Sequence, residues 1–261
     1  MKAVSVACSS CGAPIAVFAK ACEFCGASIF LEADGLGLLS AGVPVLERLF
    51  RDAQEKLKTK PEDALARCQM GVCLLKRGQY EAAIEALAEA FRAAPQSWGI
   101  CYLEAFATAL GRNWSSPRVR DLAQKALSLN PQMKQAQSLL RIYNGMVLSE
   151  GALYTADYDA ALKEYRQALV YDVAEQKPYI YFFSGQTYEA TDDPENAIKM
   201  YQVACQCGYV DVRVLIRLGM LFRSTGKFQM AIWELEKAEE LDPSNSEVSK
   251  VLVELRGKVR R

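Results

Sequence analysis

The fold is decided by two stretches far apart in the chain, ALARCQMGVCLLKRGQYEAAIEALAEAFRAAP (residues 64–95) and VLIRLGMLFRSTGKFQMAIWELEKAEELDP (residues 214–243). The first places Gly71, Gly78, Tyr80, Ala83, Leu87, Ala90 and Pro95 in order, and the second places Gly219, Gly226, Phe228, Ala231, Leu235, Ala238 and Pro243 at the same offsets. Such coincidence marks an internal repeat. Each residue type has a physical reason for its place. A glycine in mid-helix lets a partner helix approach closely, at a propensity cost of about 1 kcal/mol. Ala83 and Ala231 do the same on the second helix, Tyr80 and Phe228 open that helix, and Pro95 and Pro243 end it because proline cannot continue the hydrogen-bond ladder.

Three more degenerate copies lie between: Ala107, Val119, Ala126 and Pro131; then Ser149, Tyr158, Ala161, Tyr165 and Ala168; then Gly185, Tyr188, Ala197, Tyr201 and Ala204. Copies two and three are read as lacking the glycine, with Ala107 and Ser149 in its place. The longer spacing between them predicts an insertion around residues 144–157. The pattern resembles the tetratricopeptide repeat (TPR), whose unit is a pair of antiparallel helices that buries its apolar face only by stacking on its neighbours. The resemblance implies an all-α, TPR-like α-solenoid of about five helix pairs over residues 61–243.

The flanks extend this plan. Residues 31–60 read as a glycine-bearing linker followed by an amphipathic helix, with Val45, Leu46, Leu49, Phe50, Ala53 and Leu57 on one stripe. That stripe suits an N-terminal cap on the first repeat; the alternative uses are homo-oligomerisation and partner docking. Residues 244–261 read as a capping helix with Ser244 or Ser246 as N-cap and Val248, Val251, Leu252 and Leu255 facing inward.

A separate module precedes the repeats. Cys8-Ser9-Ser10-Cys11-Gly12 and Cys22-Glu23-Phe24-Cys25-Gly26 form two Cys-x-x-Cys knuckles. That spacing turns both thiolates of a pair onto one ion, and two pairs give a closed S₄ site with no open position for a substrate. Residues 1–30 thus read as a zinc ribbon holding structural Zn²⁺ through Cys8, Cys11, Cys22 and Cys25, with a redox dithiol, a rubredoxin-like iron site or free thiols as alternatives. The stretch is similar to the short zinc ribbons at the ends of many bacterial multidomain proteins. Cys68, Cys73, Cys101, Cys205 and Cys207 fall in helical segments and read as packing residues.

Composition removes other functions. The chain of 261 residues contains no histidine, so Ser-His-Asp and Cys-His pairs, zincin sites and His-ligated metals cannot be built from it. Lys and Arg number 31 against 31 Asp and Glu, which gives no global attraction for nucleic acid or anionic lipid. No signal-peptide pattern or membrane-length apolar run is visible, so the sequence predicts a cytoplasmic, non-enzymatic protein.

In a TPR stack the first helix of each pair lines the concave surface. Counting from each glycine position, the resemblance implies a partner-binding groove of Val72, Glu104, Thr108, Met146, Glu150, Tyr179, Phe182, Gln186, Glu189, Arg213, Ile216, Met220 and Arg223. TPR clamps for chaperone C-termini use Lys and Asn at inward positions of the first repeats, where this chain has Cys68, Val72 and Glu104. The lining suits an apolar or amphipathic segment of a protein partner, with Arg213 and Arg223 toward an acidic flank. The expected function is a protein-protein interaction adaptor. The alternative is a nucleic-acid-linked regulator that contacts RNA or DNA through the ribbon or the basic C-terminus.

Overall fold

The computed structural model describes residues 5–7, 14–16, 39, 42–151 and 156–259. The described residues form twelve helices and one short antiparallel hairpin, β1 (Ser5–Ala7) with β2 (Pro14–Ala16), in which Val6 pairs with Ile15 and Ala7 with Pro14. Cys8, Cys11, Cys22 and Cys25, and with them the metal site, lie outside the described residues. The chain divides into two compact units, Met1–Tyr143 and Asn144–Arg261.

In the first unit, α1 (Val43–Thr59) packs on α2 (Ala64–Lys76). Val45, Leu46, Leu49 and Ala53 are buried along its stripe. Three contacts pin it there: the Cys73 thiol donates to the Leu46 carbonyl at 3.3 Å, Arg77 pairs with Glu47 at 2.8 Å, and the Arg77 guanidinium lies 4.2 Å from the Phe50 ring centroid. Four of the six stripe residues are thus packed within the unit, while Phe50 and Leu57 are half-buried. α2 pairs with α3 (Tyr80–Ala93), and α4 (Trp98–Gly111) pairs with α5 (Pro117–Leu129). Asp63 caps α2 by accepting from the Ala66 amide at 2.9 Å, and Ser97 caps α4. Tyr80 is the first residue of α3, and Pro95 follows its end.

α6 (Lys134–Ser149) runs through the division. In the second unit it is followed by α7 (Tyr158–Val170), α8 (Lys177–Ala190), α9 (Pro194–Gln206), α10 (Val212–Ser224), α11 (Phe228–Leu241) and α12 (Ser246–Val259). α8 pairs with α9, α10 with α11, and α12 covers α11. Asp157, Asp193 and Asp211 cap α7, α9 and α10 through their carboxylates. On α12, Val248, Val251, Leu252 and Leu255 face inward, while the N-cap is Asn245, which accepts from the Val248 amide at 3.2 Å. Neither Ser244 nor Ser246 caps it: the Ser244 hydroxyl is drawn to Asp242 at 2.6 Å.

The glycines explain the pairing. A Cβ on Gly71 would come within 2.6 Å of Leu87, on Gly185 within 2.6 Å of Tyr201, and on Gly219 within 2.5 Å of Leu235. In each case the opposing knob lies sixteen residues on. In copy two the residues at that offset are Ala107 and Ala123, both fully buried. Copy three corrects the sequence reading. Its glycine position is filled by Gly145, whose Cβ would meet Tyr165 at 2.3 Å, and not by Ser149. The insertion lies in the segment joining α6 to α7, so counting back sixteen residues from Tyr165 stops one helical turn short of Gly145.

Candidate partner-binding face

The structure divides the sequence-expected groove residues into two groups. Val72, Glu104, Thr108, Met146 and Phe182 are buried. In the first unit, Glu104 is 2% exposed and accepts two bonds from Arg118 at 2.6 and 3.2 Å, while the Thr108 hydroxyl donates to the Glu104 carbonyl at 2.7 Å. Every residue of α4 from Gly99 to Ala109 is buried. Val72, Glu104 and Thr108 thus present no surface to a partner. The signal was in the sequence: apart from Glu104 and Thr108, WGICYLEAFATALG is almost wholly apolar, as a fully packed helix is.

In the second unit the remaining residues assemble, and buried Met146 joins them. Met146, Glu150 and Gln186, contributed by α6, its C-terminal end and α8, line one cavity of about 240 Å³ together with Ser149, Tyr165 and Phe183. Of its lining residues Met146, Tyr165, Phe183 and Thr187 are buried, so polar and apolar groups both face the hollow. The Ser149 hydroxyl lies 3.5 Å from Tyr165 Oη, and burial pushes the Tyr165 phenol up to about 12, so it stays a neutral hydrogen-bonding group. Glu150 is exposed and has no ion pair among the described residues.

The face continues along α8 and α10. Tyr179 and Glu189 are half-buried on α8; Ile216, Met220 and Arg223 are half-buried on α10, and Arg213 is exposed. Positions 213, 216, 217, 220 and 223 share one side of a 3.6-residue helix. Glu189 joins the two helices: its Oε2 accepts from Tyr201 Oη at 2.8 Å and from Arg217 at 2.8 Å. Burial and the adjoining Glu189 carboxylate together raise the Tyr201 phenol far above its ordinary range. At the other end, Phe182 is packed among Phe183, Tyr201 and Tyr209, and Tyr179 meets Tyr209 edge-on at 5.4 Å. Phe182 is therefore a packing residue behind the face.

The arginines are committed within the chain. Arg213 bonds Asp211 at 2.9 Å and Tyr209 at 3.3 Å, Arg217 bonds Glu189, and Arg223 bonds Glu254 at 2.9 Å. Spacing alone missed Arg217, Tyr165 and Tyr209, because their place depends on contacts between helices.

Cys68, Cys73 and Cys101 are buried, Cys205 is half-buried and Cys207 exposed. Among the described residues no group of three or more Cys, Asp or Glu is placed to hold a metal ion. No described helix is long and apolar enough to cross a membrane.

Comparison with known proteins agrees with this architecture. The chain is similar in fold to a chain of the APC/C hetero-tetramer Cut9-Hcn1, with 16% identity and a TM-score of 0.54, covering 84% of this chain and 47% of that one; it thus spans about half that relative's length. A tetratricopeptide repeat protein from Parabacteroides merdae aligns with 14% identity and a TM-score of 0.54 over 81% of this chain and 78% of its own. A thermophilic TPR protein from Thermus thermophilus aligns with 16% identity and a TM-score of 0.52 over 74% and 98%. No curated protein matches the sequence. A family profile described as tetratricopeptide repeat matches residues 29–97 and 147–208, and a second of the same description matches residues 212–245. With more than half of its length matched in this way, the chain belongs to the tetratricopeptide repeat family.

Proposed function

We propose that the protein is a non-enzymatic adaptor that holds a segment of a partner protein on the α6–α8–α10 face of the second unit. The observation that carries this reading is the cavity at which Met146, Glu150 and Gln186 meet: residues from two successive first helices, with Met146 and Phe183 buried in its lining and an exposed carboxylate that has no ion pair among the described residues. An apolar or amphipathic segment fits such a surface, its long side chains entering the cavity and its backbone running past Ile216 and Met220. Arg213, exposed although bonded to Asp211, remains within reach of an acidic group on the partner. The family resemblance points the same way, since stacked helix pairs present extended binding surfaces.

The same proposal includes a structural zinc ion on Cys8, Cys11, Cys22 and Cys25. Four thiolates are a suitable donor set for it. The ion would serve as a fold element and take no part in chemistry.

Affinity capture from the native host with the full chain, repeated with Ile216→Glu/Met220→Glu, tests the face. Both side chains are half-buried at the surface, so the variant should keep its helical signal and lose the partner. Recovery of the same proteins by both baits would place binding elsewhere.

A further inference from the structure

A second cavity, of about 580 Å³, lies in the second unit between α9, α10 and α11, away from the face described above. Its floor is Leu215 and Leu218, 4% and 1% exposed. By the 3.6-residue period these residues sit across α10 from Arg213, Arg217 and Met220, so the two surfaces share a helix but not a side. Around its edge stand Trp233, Val210 and Leu241, at 59%, 65% and 56% exposed. These are three of the nine large apolar side chains left exposed among the described residues, and they rim one hollow. Clustered exposure of this kind, with a tryptophan among the rim residues, marks interaction sites.

The charges at the edge narrow the occupant. Lys237 is already engaged: its Nζ is 3.3 Å from Glu234 and 3.0 Å from the Trp233 ring centroid. Glu240 also lines the cavity and has no ion pair among the described residues. What a partner has left to satisfy is an apolar hollow and one unpaired carboxylate. We propose that this cavity is a second docking site, and that it takes an amphipathic helix of a partner protein that inserts bulky apolar side chains and places an arginine or lysine one turn away, opposite Glu240. The chain would then engage two polypeptides at once, one on each side of α10.

The test uses the full chain and a synthetic amphipathic peptide of about four helical turns, with leucine and phenylalanine anchors at helical spacing beside an arginine, together with its twin carrying glutamate for that arginine. Calorimetry should show saturable binding of the arginine peptide, weakened at least about tenfold by Trp233→Ala. Glu240→Lys should weaken it about two- to fivefold and reverse the ranking of the two peptides. Ile216→Glu/Met220→Glu should leave peptide binding unchanged, which separates this site from the other face. The proposal is overturned by absence of saturable binding, by affinity indifferent to Trp233→Ala, by an unreversed ranking in Glu240→Lys, or by loss of binding in Ile216→Glu/Met220→Glu. It is also overturned if sedimentation shows a dimer that Trp233→Ala dissolves, since the occupant would then be a second copy of this chain.

Discussion

Gly145 lies so close to the ring of Tyr165 that a Cβ on it would come within 2.3 Å of Cε1 and within 2.8 Å of two further ring atoms. The same relation links Gly185 to Tyr201 in the next copy. A ring seated on a glycine fixes the depth at which the two helices of a pair meet, and through it the position of Met146, the residue after Gly145, in the cavity.

Replacing Gly145 by alanine should therefore destabilise the second unit by about 1–3 kcal/mol, the usual cost of overpacking a filled core. Ser149→Ala should cost less, about 0.5–1.5 kcal/mol, since that side chain supplies one hydrogen bond to the Met146 carbonyl. Chemical denaturation of the two variants checks this; the reverse ranking would restore Ser149 as the glycine-equivalent position.

Asp192 should be improvable. It ends α8 in a left-handed conformation, φ +56°, at the offset where Gly78 and Gly226 both stand at φ +74°. A side chain there costs about 1–2 kcal/mol, partly returned by glycine's greater freedom in the unfolded chain. Asp192→Gly should raise stability by about 0.5 kcal/mol, read as an upward shift in the denaturation midpoint.

The repeats themselves were legible because the second helices carry a strict signature: Tyr158, Ala161, Tyr165 and Ala168 identified α7 although its partner helix was miscounted. The miscount arose because the lengthened segment between α6 and α7 breaks fixed-offset arithmetic, and only the observed knob, Tyr165, reveals which residue is the seat. Offsets give the phase of a helix but not what covers it. Glu104 and Thr108 had the right phase and are buried, whereas Glu150 and Gln186 are open to the cavity. Arg223 looked available because its partner, Glu254, comes from α12, thirty-one residues on.

Alkaline pH should weaken the fold through its buried thiols. Burial raises Cys73 and Cys101 from 9.0 to about 11. The folded state then holds protons that the unfolded chain has released, so their contribution is intact below pH 9 and is lost as pH rises from 9 to 11. Thermal melts across that window should show a falling midpoint. Cys73→Ala/Cys101→Ala should flatten the fall; an unchanged slope would assign it to other groups.

Metal analysis of the purified chain should find about one zinc per molecule, and Cys22→Ser should abolish it. Chelation should leave the helical circular dichroism nearly unchanged, because stacked repeats depend chiefly on their neighbours in the stack. A global loss of helicity on chelation would show that the metal supports the repeats directly.

Photo-crosslinking in the native host asks whether the α6–α8–α10 face holds a partner polypeptide. A photoreactive amino acid is placed singly at Gln186, at Met220 and at Val170, the last 81% exposed on α7 and away from the face. Gln186 and Met220 should capture the same polypeptide, and Val170 should not. Capture from Val170 alone, or no adduct from either Gln186 or Met220 while the partner still co-purifies, would contradict binding on that face.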